Sequence, residues 1–127
     1  MTIHLDHTIV PAKERDKSAQ LLARILGVKS GPASAGPFYE VYLNENTTLD
    51  FIQADEAFPV YHFCFRVEGP EFQAILGRLS EAGIPYRSQV RGLNDGKVDP
   101  TYGNVYWNEP EGHMWEILQV SYARPKS

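Results

Sequence analysis

Residues 105–118 read V-Y-W-N-E-P-E-G-H-M-W-E-I-L, which is the most specific structural signal in the chain. The polar segment E-P-E-G at 109–112 separates two runs rich in aromatic and branched side chains, a pattern typical of a turn between two strands. In the second run, Trp115 and Ile117 flank Glu116. Because successive side chains of a strand point to opposite faces of a sheet, Glu116 is predicted to face away from the apolar side that packs under the helices.

The first half of the chain predicts a strand, a helix and two further strands. The strand I-H-L-D-H-T-I-V at 3–10 is expected to end at Pro11. Helical spacing of apolar residues predicts a helix over 16–26 that ends at Gly27. The remaining strands are predicted over 38–43 and 48–53. A loop rich in Gly, Pro, Ser and Ala precedes them, with room for one short additional strand.

The second half repeats this order of elements. Its strand, helix and three strands are predicted at 60–67, 71–82, 86–91, 103–108 and 114–120. His7 and His62 take the same place in the two halves, and so do Asp50 and Glu116. An internal repeat accounts for both correspondences, so we interpret the duplication as the architecture of the chain.

Histidine nitrogens and carboxylate oxygens form the mixed ligand sets that divalent transition metals bind. The two-residue period directs His62 to the face opposite the apolar Phe63 and Phe65, as it directs Glu116 away from its apolar neighbours. We therefore predict that His7, His62 and Glu116 are metal ligands. The alternative is a structural role, as a buried histidine bonded to a backbone carbonyl or an exposed strand carboxylate.

Two further side chains share the predicted inner face. Asp50 lies between Leu49 and Phe51, an apolar pair that should pack under a helix, so Asp50 faces inward. Direct ligation and a supporting role, in which Asp50 orients a bound water or an imidazole N–H, both stay open. Cys64 is expected to pack as a small side chain, because no basic residue adjoins it in sequence to lower the pKa of its thiol.

The remaining histidines and the longest loop are placed outside the site. His113 follows the turn at 109–112, which favours surface exposure, and His4 lies off the repeat position. The loop over 91–102 is rich in turn formers, so it is either a lid or a plain connection. Its candidate contacts for an anion are Arg91 and Lys97.

Composition excludes several classes of function. The chain has 127 residues, a net charge of -4 and a pI near 5.5, and its twelve basic residues form no run. This charge distribution does not attract a phosphate backbone, so no nucleic-acid partner is expected. No apolar segment approaches the roughly 20 residues that span a bilayer, so no membrane partner is expected. With a lone cysteine and no signal-like N-terminus, a cytoplasmic location is expected.

These motifs resemble the vicinal oxygen chelate superfamily, which includes glyoxalase I, extradiol dioxygenases, fosfomycin-resistance enzymes and bleomycin-binding proteins. The resemblance covers nearly the whole chain, and its carriers are L-D-H-T-I-V, T-L-D-F-I, Y-H-F-C-F-R-V and, most specifically, residues 105–118. It implies an α+β fold in which two tandem βαβββ modules form a cupped mixed sheet. The chain is then one domain over 1–127, with module one at about 1–56 and module two at about 57–127. Many members complete the cup across a dimer, so a homodimer is expected.

The resemblance also implies roles for individual residues. His7, His62 and Glu116 match the family's metal ligands. Asp50 departs from glyoxalase I, which usually has a glutamate there, and its side chain is shorter by one carbon–carbon bond, about 1.5 Å. Tyr106 matches a tyrosine that often reaches the cup, where its phenol either donates a hydrogen bond to a metal-bound substrate oxygen or only packs at the rim.

The function implied first is a metal-dependent lyase or isomerase of glyoxalase type. Its small-molecule substrate would chelate the metal through adjacent oxygens, and Glu116 or Asp50 would move the proton. The ligand set does not choose among Ni, Zn, Mn and Fe(II). The first alternative is an Fe(II) extradiol-type dioxygenase with Tyr106 near the substrate. The second is a small-molecule or antibiotic binding protein without turnover, which the intact ligand positions disfavour.

Overall fold

The computed structural model describes residues 2–109 and 112–123. The chain divides into two compact units, Met1–Pro59 and Val60–Ser127. In the described residues each unit contains one helix and its own sheet of mixed parallel and antiparallel strands. This is the α+β organisation that the sequence predicted. Within the same residues, neither helix has the length and apolar character needed to cross a membrane.

The first unit is a four-stranded sheet with one helix. Its elements are, in order, β1 (His7–Ala12), α1 (Arg15–Leu26), β2 (Ser30–Pro32), β3 (Phe38–Tyr42) and β4 (Thr48–Gln53). The strand order is β1-β4-β3-β2, with β1 parallel to β4 and the other pairs antiparallel. Strand β2 is the short additional strand that the sequence allowed. The helix ends as predicted at Gly27, whose φ of 74° places it in the left-handed region.

Pro11 does not end the first strand, so that prediction is wrong. Strand β1 begins at His7 and continues to Ala12, and Pro11 pairs with Ile52 in the parallel ladder. The reason is that β1 is an edge strand, with β4 on one side only. An edge strand tolerates a proline because one row of its backbone groups has no strand to bond.

The second unit is a three-stranded sheet with one helix. Its elements are, in order, β5 (His62–Arg66), α2 (Gly69–Glu81), β6 (Val105–Asn108) and β7 (Met114–Leu118). The strand order is β5-β7-β6, with β5 parallel and β6 antiparallel to β7. The helix begins at Gly69 rather than after Pro70, because proline has the right φ for a first helical turn and needs no N–H partner there.

The strand predicted over 86–91 is wrong. Only Arg87 makes a bridge, to Tyr106. The residues that follow bond within their own loop: the Arg87 guanidinium donates to the carbonyl of Val90, and the Ser88 amide donates to Asp95. These local hydrogen bonds take the place of the backbone bonds that a strand at 86–91 would make to a neighbouring strand. The turn predicted at 109–112 has a bond from the Gly112 amide to the Glu109 carbonyl at 3.0 Å; Pro110 and Glu111 lie outside the described residues.

The two faces of β5 differ as the sequence predicted. The rings of Phe63 and Phe65 stack on Trp115 of β7, with centroids 5.0 and 6.0 Å apart. The alternate side chains, His62 and Cys64, are exposed on the opposite face. This apolar stack therefore fixes the direction in which the candidate ligands of the second unit point.

Candidate active site

Strand register brings the second unit's polar residues together around Glu116. In the parallel pair of β5 and β7, Cys64 lies directly opposite Glu116. In the antiparallel pair of β6 and β7, Tyr106 lies opposite Glu116 on the other side. Glu116 therefore sits on the central strand, with one polar neighbour on each flanking strand.

Glu116 is a buried carboxylate whose oxygens are fully bonded. Its side chain is 0% exposed. It accepts hydrogen bonds from His62 Nε2 at 2.9 Å, Asn104 Nδ2 at 2.9 Å, and the Tyr122 hydroxyl at 2.7 Å to Oε1 and 2.8 Å to Oε2. An unpaired charge at this depth would cost several kcal/mol. Three donors on three different segments therefore hold Glu116 in one orientation.

His62 connects this buried carboxylate to the surface. Its side chain is 38% exposed, and its ring lies 6.0 Å from the ring of Tyr106. A carboxylate without a proton can only accept, so the bond to Glu116 places a proton on Nε2 of His62. The pair is an imidazole and a carboxylate that share one proton at the edge of solvent.

Two further groups line the buried side of Glu116. Asn104 Nδ2 also donates to the Tyr106 hydroxyl at 3.2 Å, while Asn104 Oδ1 is buried without a partner among the described residues. Burial raises the pKa of the Tyr106 phenol above its usual value. Burial and the bond to Glu116 likewise raise the pKa of Tyr122. Both phenols therefore stay protonated at neutral pH and are available as donors.

Cys64 does not have the buried packing role that we expected, so that expectation is wrong. The residue is exposed on the open face of β5 beside His62. Although Cys64 is exposed, partial removal of its sulfur from water and the adjacent Glu116 carboxylate raise the pKa of its thiol to about 12. A thiol that stays protonated is a poor nucleophile and metal ligand.

A cavity of 590 Å³ opens on this face of the second unit. Its walls come from β5, from the end of β7 and from the segment after β7: His62, Cys64, Arg66, Leu118, Ser121, Tyr122 and Ala123. This volume is within the usual range for a small-molecule site, about 300–1,000 Å³. His62, which bonds the buried Glu116, thus lines a cavity large enough for an organic ligand.

In the first unit His7 is exposed and paired with its neighbour. Its Nδ1 and Asp6 Oδ2 are 2.7 Å apart, and this hydrogen bond raises the pKa of the imidazole above 6.5. Because the carboxylate accepts, the bond places a proton on Nδ1 and leaves Nε2 as the nitrogen that can ligate. Metal-bound histidines commonly donate their second ring nitrogen to a carboxylate in this way.

Asp50 lies next to another carboxylate. It is 8% exposed, and the ladder between β3 and β4 places Glu40 directly opposite it. Burial, and then the adjacent Glu40, raise the pKa of Asp50 above 3.8. Its Oδ1 has no partner among the described residues. Asp50 therefore favours the protonated form more than an ordinary aspartate does, which makes it a weaker candidate for a metal ligand.

The donor chemistry of the candidates fits a divalent transition metal, since imidazole nitrogen and carboxylate oxygen are its usual ligands. In the described residues no group of three histidine, cysteine, aspartate or glutamate side chains is close enough to hold a metal ion. In the second unit, His62 and Glu116 are in direct contact. A third ligand is needed to complete a set.

His113 is not an exposed turn residue, so that prediction is wrong. It is 1% exposed, and its Nδ1 accepts a hydrogen bond from the Tyr61 amide at 2.9 Å. Its ring stacks on Tyr61 and meets Phe63 edge-on. His113 directly precedes β7, and its ring packs on the aromatic face of the sheet. We therefore still interpret His113 as lying outside the candidate site.

Sequence reasoning missed several residues that contact the candidates, among them Tyr122, Glu40 and Asp6. Tyr122 lies in an irregular segment, where no periodicity indicates a direction. Glu40 could have been found from the internal repeat. It corresponds to Tyr106, because Glu40 lies directly opposite Asp50 as Tyr106 lies opposite Glu116. Asp6 precedes His7 in the sequence, but adjacency alone does not predict that the two side chains bond.

Comparison with solved structures shows the family. The chain is similar to oxidase ChaP-H2, with 32% identity, coverage of 97% of this chain and 98% of the other, and a TM-score of 0.81. It is also similar to oxidase ChaP-H1, with 36% identity, coverage of 97% and 100%, and a TM-score of 0.79. The fosfomycin-resistance protein FosX from Listeria monocytogenes shares the fold at 15% identity, coverage of 96% and 94%, and a TM-score of 0.69.

With this fold and these similarities, the chain belongs to the vicinal oxygen chelate superfamily, as its motifs predicted. Its structural neighbours include an oxidase, a fosfomycin-resistance protein and a glyoxalase/dioxygenase from Nostoc punctiforme, so membership does not choose one activity. No known protein-family model matches the sequence. A comparison with curated proteins also found no match.

Proposed function

We propose that the protein is a divalent-metal-dependent oxidase that acts on a small organic substrate carrying two adjacent oxygens. The observation that carries this proposal is Glu116, a fully buried carboxylate that three donors orient, one of which is His62 in the wall of the cavity. Strongly oriented buried charge at a cavity is typical of functional sites.

In this proposal His62 and Glu116 are two of the metal ligands and His7 is the third. The support for His7 is its bond to Asp6, which occupies Nδ1 and leaves Nε2 as the nitrogen available to a metal. When bound, a divalent transition metal would supply Lewis acidity and open positions for two adjacent substrate oxygens. Two histidines and one carboxylate are the set that Fe(II) oxygenases use, so Fe(II) is the first metal to test.

Asp50 decides between the oxidase and the glyoxalase-type lyase that the sequence placed first. The lyase would use Asp50 as a fourth ligand or as a proton shuttle. Burial and the adjacent Glu40 favour its protonated form, which supports a three-ligand set. Two relatives above 30% identity are named as oxidases, which points the same way.

The chain's own residues then have distinct roles. Asn104 and Tyr122 hold the Glu116 carboxylate in place, and Asn104 also holds the Tyr106 hydroxyl. Tyr106, protonated and 6.0 Å from the His62 ring, is a donor for a substrate oxygen. A cation held by both His62 and Glu116 would replace the proton that they share, so its binding should release a proton.

The test is to reconstitute the protein with Fe(II) under argon, to measure metal content, and then to follow oxygen uptake with catechols. We expect about one metal per chain and oxygen uptake that requires the metal. His62→Ala should lose the metal, whereas the matched variant His4→Ala, at an exposed histidine outside both sheets, should keep it.

Two results would contradict the proposal. If wild-type protein holds no metal after reconstitution, the proposed metal site is wrong. Isomerisation of a hemithioacetal without oxygen uptake would replace the oxidase by the glyoxalase-type lyase.

A further inference from the structure

One side chain in the wall of the cavity carries a positive charge. Arg66 is exposed at the end of β5 and lines the cavity together with His62 and Cys64, its neighbours at every second position of the strand. Among the described residues no carboxylate pairs with its guanidinium. In the first unit, by contrast, the half-buried Arg15 pairs with Asp16.

Along β5, Arg66 lies at the opposite end of the cavity wall from His62. His62 and Arg66 are four residues apart on one strand, which separates their Cα atoms by about 13 Å. Apolar groups complete the wall: Leu118, which lies opposite Arg66 in the ladder, Ala123 and the ring of Tyr122. The Tyr102 ring meets the Tyr122 ring edge-on at 5.0 Å, which holds the phenol in position.

The charge of the cavity is therefore polarised along its length. The carboxylate of Glu116, which lies opposite Cys64 and bonds His62, is fully buried and accepts from three donors. At the Arg66 end, the positive charge has no partner among the described residues. A ligand that fills the cavity therefore contacts His62 of the proposed metal site, apolar side chains and the guanidinium of Arg66. Guanidinium groups bind carboxylates through two parallel hydrogen bonds.

We propose that the substrate of this site is an aromatic acid whose carboxylate binds Arg66 while its adjacent oxygens face His62 and Glu116. This inference deepens the proposed function, on which it rests, by naming the chemical class of the substrate. It assigns Arg66 as the residue that determines specificity. It also replaces the loop cations Arg91 and Lys97 as the anion contact, because neither lines the cavity.

The test uses 3,4-dihydroxycinnamate, whose carboxylate lies far from its two adjacent hydroxyls, and its methyl ester, which has the same ring without the charge. Binding is measured by titration calorimetry on protein freed of metal by a chelator, at neutral pH, so the readout does not depend on turnover. Wild type should bind the acid at least about tenfold more tightly than the ester, as expected for a charge-assisted hydrogen bond.

Three variants identify the group responsible. Arg66→Gln should lose the preference for the acid while its affinity for the ester is unchanged, and Arg66→Lys should keep part of it because it retains the charge. Arg91→Gln, at an exposed arginine of the same unit outside the cavity, should bind as wild type does. Circular dichroism and the melting temperature verify that each variant is folded; a position at an exposed strand end tolerates these changes.

Several outcomes overturn the inference: no binding of either compound at millimolar concentration, equal affinity of wild type for acid and ester, or an unchanged preference in Arg66→Gln. Equal losses in Arg66→Gln and Arg91→Gln overturn it too. Metal content is measured separately, on portions of the same preparations that are reconstituted with Fe(II). If these portions hold no metal while the preference that depends on Arg66 persists, the proposed function fails and the assignment of Arg66 is supported.

Discussion

The Tyr122 hydroxyl bonds both carboxylate oxygens of Glu116, at 2.7 and 2.8 Å. Tyr122 belongs to the irregular segment that follows β7, and this segment is anchored by two backbone bonds, from the amides of Gln119 and Val120 to the carbonyl of Tyr102. The segment therefore lies over the most buried charge of the second unit. The Tyr122 hydroxyl is the third hydrogen-bond donor to the Glu116 carboxylate, with His62 and Asn104 as the other two.

Replacing Tyr122 by phenylalanine should destabilise the protein. The variant keeps the ring but removes the hydroxyl, so Glu116 loses a donor that it cannot replace by water at 0% exposure. A hydrogen bond to a charged group is worth about 1.5–3 kcal/mol. We expect a loss of that size in the free energy of unfolding, measured by urea denaturation.

Tyr42→Phe is the matched control for this measurement. The Tyr42 hydroxyl also donates to a glutamate, Glu40, at 3.1 Å, but this bond is exposed to solvent. Water replaces the lost donor there, so the cost should stay below about 1 kcal/mol. Equal losses in the two variants would mean that burial of Glu116 does not determine the strength of its bonds.

Periodicity and the repeat predicted most of the fold and part of the site. The two-residue period placed His62 and Glu116 on the face opposite Phe63 and Trp115, because a regular strand leaves each side chain only two directions. The glycine that ends α1 was predicted because a left-handed residue is needed at that point. These features depend on neighbours in sequence.

The remaining features depend on contacts between distant residues. Tyr122 reaches Glu116 from an irregular segment, and His113 is buried by Tyr61, which lies 52 residues earlier in the chain. The predicted strand at 86–91 fails because Arg87 and Ser88 bond within their own loop. Neither periodicity nor composition reports such partners, since both describe only local sequence.

The protein is expected to be a homodimer. Strand β1 is an edge of the first sheet and β5 an edge of the second, so each presents a row of backbone groups without a strand partner in its own sheet. Ile9 on β1 is 51% exposed, and Ile3, just before it, is 85% exposed. Pairing with a second copy would cover edges and apolar side chains together. Light scattering at tens of micromolar should give twice the mass of the chain; the mass of one chain would contradict this.

Asp50→Asn should stabilise the protein slightly at neutral pH. Asp50 and Glu40 are like charges directly opposite each other on adjacent strands, an arrangement that costs about 0.2–1 kcal/mol. Asparagine has nearly the same shape without the charge. We expect a rise in melting temperature of up to about 4 °C. Asp55→Asn, at an exposed aspartate of the same unit, should leave the melting temperature unchanged.

The gain from Asp50→Asn should depend on pH. The pKa of Asp50 is raised in the folded state, so the folded protein binds this proton more tightly than the unfolded chain does. The stability that this group contributes is complete below its ordinary pKa of 3.8 and is lost as the pH rises through the folded value. Asparagine acts like the protonated form at every pH. The melting curves of wild type and variant should therefore converge below pH 3.8, and a gap that persists there would exclude charge as the cause.

Gly103→Ala should destabilise the protein more than Gly96→Ala does. Both glycines have a left-handed φ, 61° and 68°, so alanine at either position costs about 1–2 kcal/mol of backbone strain. At Gly96 a Cβ would meet no atom within 4 Å, whereas at Gly103 it would lie 2.5 Å from Gln119 Nε2 and 3.4 Å from Gln119 Cβ. To relieve that contact, either Gln119 or the backbone at Asn104, just before β6, must move. This shift should add about 1–3 kcal/mol to the loss in the free energy of unfolding, as overpacking does. Because Asn104 donates to Glu116, a shift there also loosens the candidate site. Urea denaturation of both variants measures the difference, and equal losses would show that Gln119 swings away without cost.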